Sequence, residues 1–195
     1  MKKRNAIFLV LLVVIVGAAA FLLSQQGSRR QLPPSFVGTP SPTPGSLPSF
    51  TYKDLQPGTT TEEQAVVSLG QPIRREKEGV TTTLVYPSGV GEWPLLVSVD
   101  RANIISLIKE PLPDDSLFSV FSSGLGNHDL TLYDSYYLLG YELRVYLSSG
   151  VAFLVNPEEN MVRERWYFPP NTDATVFQRV FAPEYQTEPP PLDQE

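Results

Sequence analysis

The sequence predicts an α+β protein built from an N-terminal transmembrane helix, a disordered stalk and two tandem helix-plus-antiparallel-meander units. Three observations lead there. An uncharged apolar run sits near the N-terminus, a proline- and serine-rich stretch separates it from the remainder, and a helix signal followed by β-branched runs occurs twice downstream.

The first element is "AIFLVLLVVIVGAAAFLL", residues 6–23, which follows "MKKR". At 1.5 Å per residue it spans roughly 27 Å as a helix, enough to cross a hydrocarbon core. Each Leu, Ile, Val or Phe favours insertion by roughly 0.3–0.6 kcal/mol, and no charge opposes them. Lys2, Lys3 and Arg4 remain cytoplasmic under the positive-inside rule. Residues 1–23 are therefore expected to be a signal anchor of the cytoplasmic membrane, single-pass, with the N-terminus cytoplasmic and the C-terminal domain extracytoplasmic. A cleaved signal peptide is the competing reading, because "GAAA" at 17–20 offers small residues for cleavage; the continuation "FLL" favours the anchor.

Residues 24–49 carry Pro33, Pro34, Pro40, Pro42, Pro44 and Pro48 among Ser, Thr and Gly. Such a composition cannot build a core and favours extended conformers, so this segment reads as a linker reaching up to roughly 75 Å.

The first unit is expected over residues 50–112. In "LQPGTTTEEQAVVSLGQP" (55–72) Thr61 is a helix N-cap, Glu62 and Glu63 suit the positive helix start, and Gln64 completes a capping box. Ala65, Val66 and Leu69 form one apolar stripe, Gly70 ends the helix and Pro72 forbids its continuation. Three β-branched runs follow, "TTTLVYP" (81–87), "LLVSVD" (95–100) and "NIISLIKE" (103–110), the last two joined by the turn "DRAN".

The second unit, 113–185, repeats the pattern. "DDSLFSVFSSGLG" (114–126) opens on aspartates able to cap a helix and spaces Leu117, Phe118 and Phe121 helically. Strands are expected in "DLTLYD", "YELRVYL", "VAFLVN" and "MVRERWYF", with Arg163 and Arg165 alternating outward. An amphipathic helix within "TDATVFQRVFAPEY" (172–185) would pack Val176, Phe177, Val180 and Phe181 on the second sheet. Residues 186–195 read as a disordered tail.

Charge and composition narrow the function. From Phe50 onward 10 basic residues stand against 21 acidic ones, a net charge of −11. That surface repels phosphates, so no nucleic acid partner is expected. The absence of cysteine excludes disulfides, thiolate chemistry and lipobox anchoring.

Candidate chemistry is sparse. His128, the one histidine, precedes Asp129 and could act as a base toward Ser122 or Ser123. No nucleophile-elbow motif accompanies it, and a polar loop residue is the plainer reading. The carboxylate pairs Asp114 with Asp115 and Glu158 with Glu159 read as turn caps rather than a glycosidase pair. "SGVGEW" (88–93) has no lysine or helix start for phosphate and reads as a hairpin loop. No catalytic residue, cofactor or metal is expected. The aromatic residues say more: Trp93 and the loop 134–141, with Tyr133, Tyr136, Tyr137 and Tyr141, are expected to border a recognition surface for protein or glycan, because such rings bury area with few rotors.

The order Leu55, Gly58, Thr61, Ala65, Leu69, Gly70, Pro72, followed by a strand pair ending in "VSVDRANIISL" (97–107), resembles the SmpA/OmlA family of envelope proteins, the BamE-like fold. A tandem arrangement of it is similar to that of β-lactamase inhibitory protein. The resemblance implies a small envelope-side scaffold, with Gly58, Thr61, Leu69, Gly70 and Pro72 as structural residues. The expected function is a membrane-anchored extracytoplasmic scaffold or protein-binding module of the bacterial cell envelope, acting noncovalently on an envelope protein or cell-wall component. The alternative is a cell-wall-acting hydrolase or an inhibitor of an envelope enzyme.

Overall fold

The computed structural model describes residues 50–134 and 140–189. The apolar run at 6–23, the linker at 24–49, Tyr136 and Tyr137, and the tail from 190 onward lie outside the described residues. Among those described, no helix is long and apolar enough to cross a membrane.

Where the first helix was expected, α1 (Glu62–Leu69) forms. Thr61 Oγ1 accepts the Gln64 N–H at 3.3 Å, and the Gln64 side chain accepts the Thr61 N–H at 2.8 Å. This reciprocal box satisfies two amides that a helix start leaves without partners. Gly70 caps the other end at φ 87°, with its N–H on the Val66 carbonyl.

Four strands follow as a meander: β1 (Arg74–Glu78), β2 (Thr81–Val90), β3 (Trp93–Val99) and β4 (Ile105–Pro111). The turn "DRAN" is set by Asp100, whose Oδ1 accepts from the N–H groups of Ala102 and Ile104. Next come α2 (Phe118–Phe121), β5 (Leu130–Asp134), β6 (Glu142–Tyr146), β7 (Val151–Asn156), β8 (Met161–Tyr167), α3 (Ala174–Phe181) and β9 (Tyr185–Gln186). All nine strands join one antiparallel sheet in the order β1-β2-β3-β4-β8-β7-β6-β5-β9.

This overturns the expected tandem helix-plus-antiparallel-meander units of BamE-like type. The structure is one nine-stranded sheet with little helix, not a repeated unit. Two physical causes stand out. Strand β4 is apolar on both faces, with Ile105, Leu107 and Ile108 buried, so a free edge there would strand unpaired backbone beside apolar side chains; β8 takes that edge instead. The second helix shrinks to the four residues of α2 because Leu117 occupies its N-cap with no side-chain hydrogen bond, while Asp114 and Asp115 lie too early to cap it.

Alternation along the strands divides the apolar residues between two faces. On one face, α1 and residues 50–60 cover Leu84, Tyr86, Leu95, Val97, Ile105, Ile108 and Tyr167, while α2 and its flanking loops cover Tyr146, Val151, Phe153 and Val155. On the other face, α3 buries Leu132, Leu143, Leu154, Trp166 and Phe168 with its own Phe177 and Phe181. Three strands separate β8 from β9, a span of about 19 Å in a flat sheet. Yet the Trp166 and Tyr185 rings meet at 5.7 Å, edge to face. The second half of the sheet therefore curls around α3.

Candidate functional site

Topology sorts the loops into two ends. The described chain begins at Phe50, whose N–H reaches the Ser149 carbonyl in the β6–β7 turn, and Gly58 donates to Ile105 at the start of β4. The opposite end collects the β2–β3 tip, the exit of β4, the β7–β8 turn and the β5–β6 connection. Trp93, Tyr133 and Tyr141 all lie at that second end.

They do not form one surface. Trp93 opens β3 after the β2–β3 tip and is 49% exposed. Tyr133 lies in β5 opposite Glu142, while the half-buried Tyr141 packs against the core on the face that α3 covers. Tyr133 alternates to the other face from Leu132, which is in that same α3 core. Strands β4, β8 and β7 lie between β3 and β6, about 19 Å at ordinary strand spacing. Tyr136 and Tyr137 lie outside the described residues.

Around Trp93 the structure adds groups that alternation alone misplaced. Arg163, expected to point outward, brings its guanidinium to 4.5 Å from the centre of the Trp93 ring. By alternation Arg163 shares a face with Arg165 and Tyr167, and a bulge lies beside it: Leu154 pairs with Glu164 but Val155 pairs with Val162, leaving Arg163 as an extra residue on β8. Arg165 also turns inward. Its Nε and Nη2 donate to Glu110 Oε2 at 2.9 and 2.7 Å, and the Tyr167 hydroxyl donates to the same oxygen at 2.7 Å. Burial raises the Tyr167 hydroxyl far above the usual tyrosine range, against the opposing pull of Arg165. The cluster spans β4 and β8, where the two halves of the sheet join.

On the other face of the same junction, Lys109 lies 3.8 Å from the centre of the Trp166 ring, and Trp166 Nε1 donates to Glu164 at 2.8 Å. Burial lowers Lys109 below the usual ammonium range, although Glu164, Glu184 and Asp134 pull the other way.

The remaining candidates serve local structure. His128 Nε2 lies 2.8 Å from Thr131 Oγ1, and Asp129 Oδ2 accepts the Leu147 N–H at 2.7 Å. The N–H groups of Glu158 and Glu159 both donate to Asn156 Oδ1, as an Asx turn requires. Among the described residues no group of three His, Cys, Asp or Glu could hold a metal ion. A surface depression of about 420 Å³ at the start of α1 is lined by Thr61, Glu62, Glu63, Ala102 and Asn103, with Thr61 already spent on its cap.

The family-motif residues occupy structural positions. Gly58 sits at φ 88°, and a Cβ there would meet Pro169 at 3.2 Å. Leu69 packs against the core that α1 covers. Pro72 follows the Gly70 cap and precedes Ile73, whose N–H opens the β1–β2 pairing on the Val85 carbonyl. Glu110, Arg163 and Arg165 were missed as a group. The available signal was the chance that Arg165 faces Glu110 across a β4–β8 pairing, which required the strand order in advance.

No known protein family and no curated protein matches this chain. Solved structures similar to it include the following two. A DUF4309 family protein (YjgB) from Bacillus subtilis matches with a TM-score of 0.47 at 13% identity, over 62% of this chain and 87% of that one. A cysteine-rich secretory protein (SAV1118) from Staphylococcus aureus matches with a TM-score of 0.40 at 10% identity, over 72% of this chain and 58% of that one.

Proposed function

We propose that this protein is a noncovalent binding module of the bacterial cell envelope, anchored in the cytoplasmic membrane by residues 1–23 and engaging an envelope protein through the Trp93 end of its sheet. One observation carries this reading. The chain joins the sheet at the Phe50 end, while exposed Trp93, Leu117 and Val120, at 49%, 46% and 69%, belong to the opposite end or to α2, which leads away from it. Large apolar side chains left exposed are a feature of interaction surfaces, and Trp93 is the one aromatic ring among those exposed in the described residues. Both sheet edges are poor docking sites by comparison: β1 is five exposed residues, "RREKE", all of them charged, and β9 has two residues.

The test is site-specific photocrosslinking in intact cells, with the crosslinker placed at Glu92, beside an intact Trp93, and, as a control, at Val67 on the outer side of α1. A discrete adduct with an envelope protein from position 92, absent from position 67, is expected. Equal labelling from both positions, or none from position 92, overturns the reading.

A further inference from the structure

Three arginines of the sheet lie over aromatic rings: Arg144 over Phe118 at 4.7 Å, Arg163 over Trp93 at 4.5 Å, and Arg165 over Phe121 and Tyr167 at 5.2 and 5.1 Å. Two of them have a carboxylate. Arg144 Nε donates to Glu142 at 2.6 Å, and Arg165 donates twice to Glu110. The Arg163 side chain makes no hydrogen bond or ion pair with any described residue, and its Nε is buried without an acceptor, while its backbone carbonyl accepts the Leu112 N–H. A guanidinium with no carboxylate of its own keeps its Nη donors for an incoming acceptor, and a carboxylate matches that fork.

We propose that Arg163 and Trp93 form a receptor for one carboxylate of a partner polypeptide. This rests on the binding reading above and names the chemistry that the surface selects. An aspartate or glutamate side chain takes the Arg163 fork, and apolar residues beside it in the partner cover the open face of Trp93. Contact with the Trp93 ring at 4.5 Å limits the guanidinium's freedom, which lowers the ordering cost of binding. Turns at this end carry Glu92, Asp114, Asp115, Glu158 and Glu159. Their charge disfavours polyanions, so the ligand is a single carboxylate flanked by uncharged residues rather than an acidic tract.

The probe is an acetylated, amidated pentapeptide with one glutamate between two leucines, paired with its glutamine twin. Each is titrated into the full-length chain in mild nonionic detergent. Trp93 is 49% exposed and Trp166 only 1%, so red-edge emission follows the site and blue-edge emission reports whether variants stay folded. Saturable quenching of Trp93 by the glutamate peptide is expected, weakened about tenfold or more in the glutamine twin and in Arg163→Gln. Arg163→Lys should fall between, and Arg179→Gln on α3 should match the parent. Equal affinity for the two peptides, an Arg163→Gln variant that binds like the parent, or no saturable response to the glutamate peptide overturns the proposal. Retained crosslinking from position 92 together with any of these results refutes the carboxylate receptor alone, whereas absence of that crosslinking refutes the binding reading itself.

Discussion

Gly150 shows how closely the backbone is packed at the Phe50 end of the sheet. It sits at φ 69° in the turn before β7, and a Cβ there would lie 2.4 Å from the Phe168 carbonyl oxygen and 3.0 Å from Pro170 N. Gly79, in the β1–β2 turn, has a similar φ of 57° but open space around it. The two positions separate conformational strain from steric conflict. Gly79→Ala should cost about 1–2 kcal/mol, the penalty of a left-handed L-residue. Gly150→Ala adds displacement of the Phe168–Pro170 backbone, whose Phe168 N–H is itself bonded to the Gly150 carbonyl at 3.0 Å. Its total should exceed about 3 kcal/mol, in the range reserved for named structural conflicts. Urea midpoints of the two variants check this, and equal losses would refute the steric part.

At the scale of elements, local chemistry decided what could be read in advance. The helix α1 was legible because Thr61, Gln64, Gly70 and Pro72 act within a few residues of one another. Its dependence on that chemistry can be measured: Thr61→Ala should cost about 1 kcal/mol. Gln64→Ala in the Thr61→Ala background should add less than it does alone, since each side chain serves the other's amide. Full additivity in a double-mutant cycle would mean that the box is not a unit. Strands β2, β3, β4 and β5–β8 were legible from β-branched and aromatic runs. Strand β1 was not, because Arg74–Glu78 is exposed throughout and its pairing comes from β2 rather than from any burial of its own. Strand β9 was missed because two residues carry no period. The order β4-β8 was beyond local reading, and with it went the Glu110–Arg165–Tyr167 cluster. Trp93 was legible as an aromatic beside a hairpin loop; the stacking of Arg163 was not, since it depends on β8 lying next to β4.

For the whole molecule, buried titrating groups in all three apolar clusters make alkaline stability a test of the fold. Burial raises Tyr86 and Tyr167 in the cluster under α1, Tyr146 in the one under α2, and Tyr185 in the one around α3, all above the ordinary value of 10.0. A raised pKa in the folded state means that the folded protein holds protons the unfolded chain has lost. The stabilisation is fully present below pH 10 and is lost as pH rises toward the folded values. Each such tyrosine contributes a slope of up to about −1.4 kcal/mol per pH unit in that window. Lys109 acts in the opposite sense, because its folded pKa is lowered from 10.5: its contribution is present above 10.5 and is lost as pH falls through the lowered value. Four groups against one give a net fall, and the growing negative charge of an already acidic chain deepens it. The urea midpoint should therefore drop steeply above pH 10. Tyr167→Phe should flatten that drop while lowering the midpoint at pH 7 through loss of the hydroxyl bond to Glu110, a loss of about 1–2 kcal/mol. Lys109→Met should leave the fall above pH 10.5 intact and remove the opposing rise below it. A midpoint that stays level from pH 9 to pH 11 would mean that these hydroxyls reach water in the folded state, and that the three layers over the sheet do not close as described.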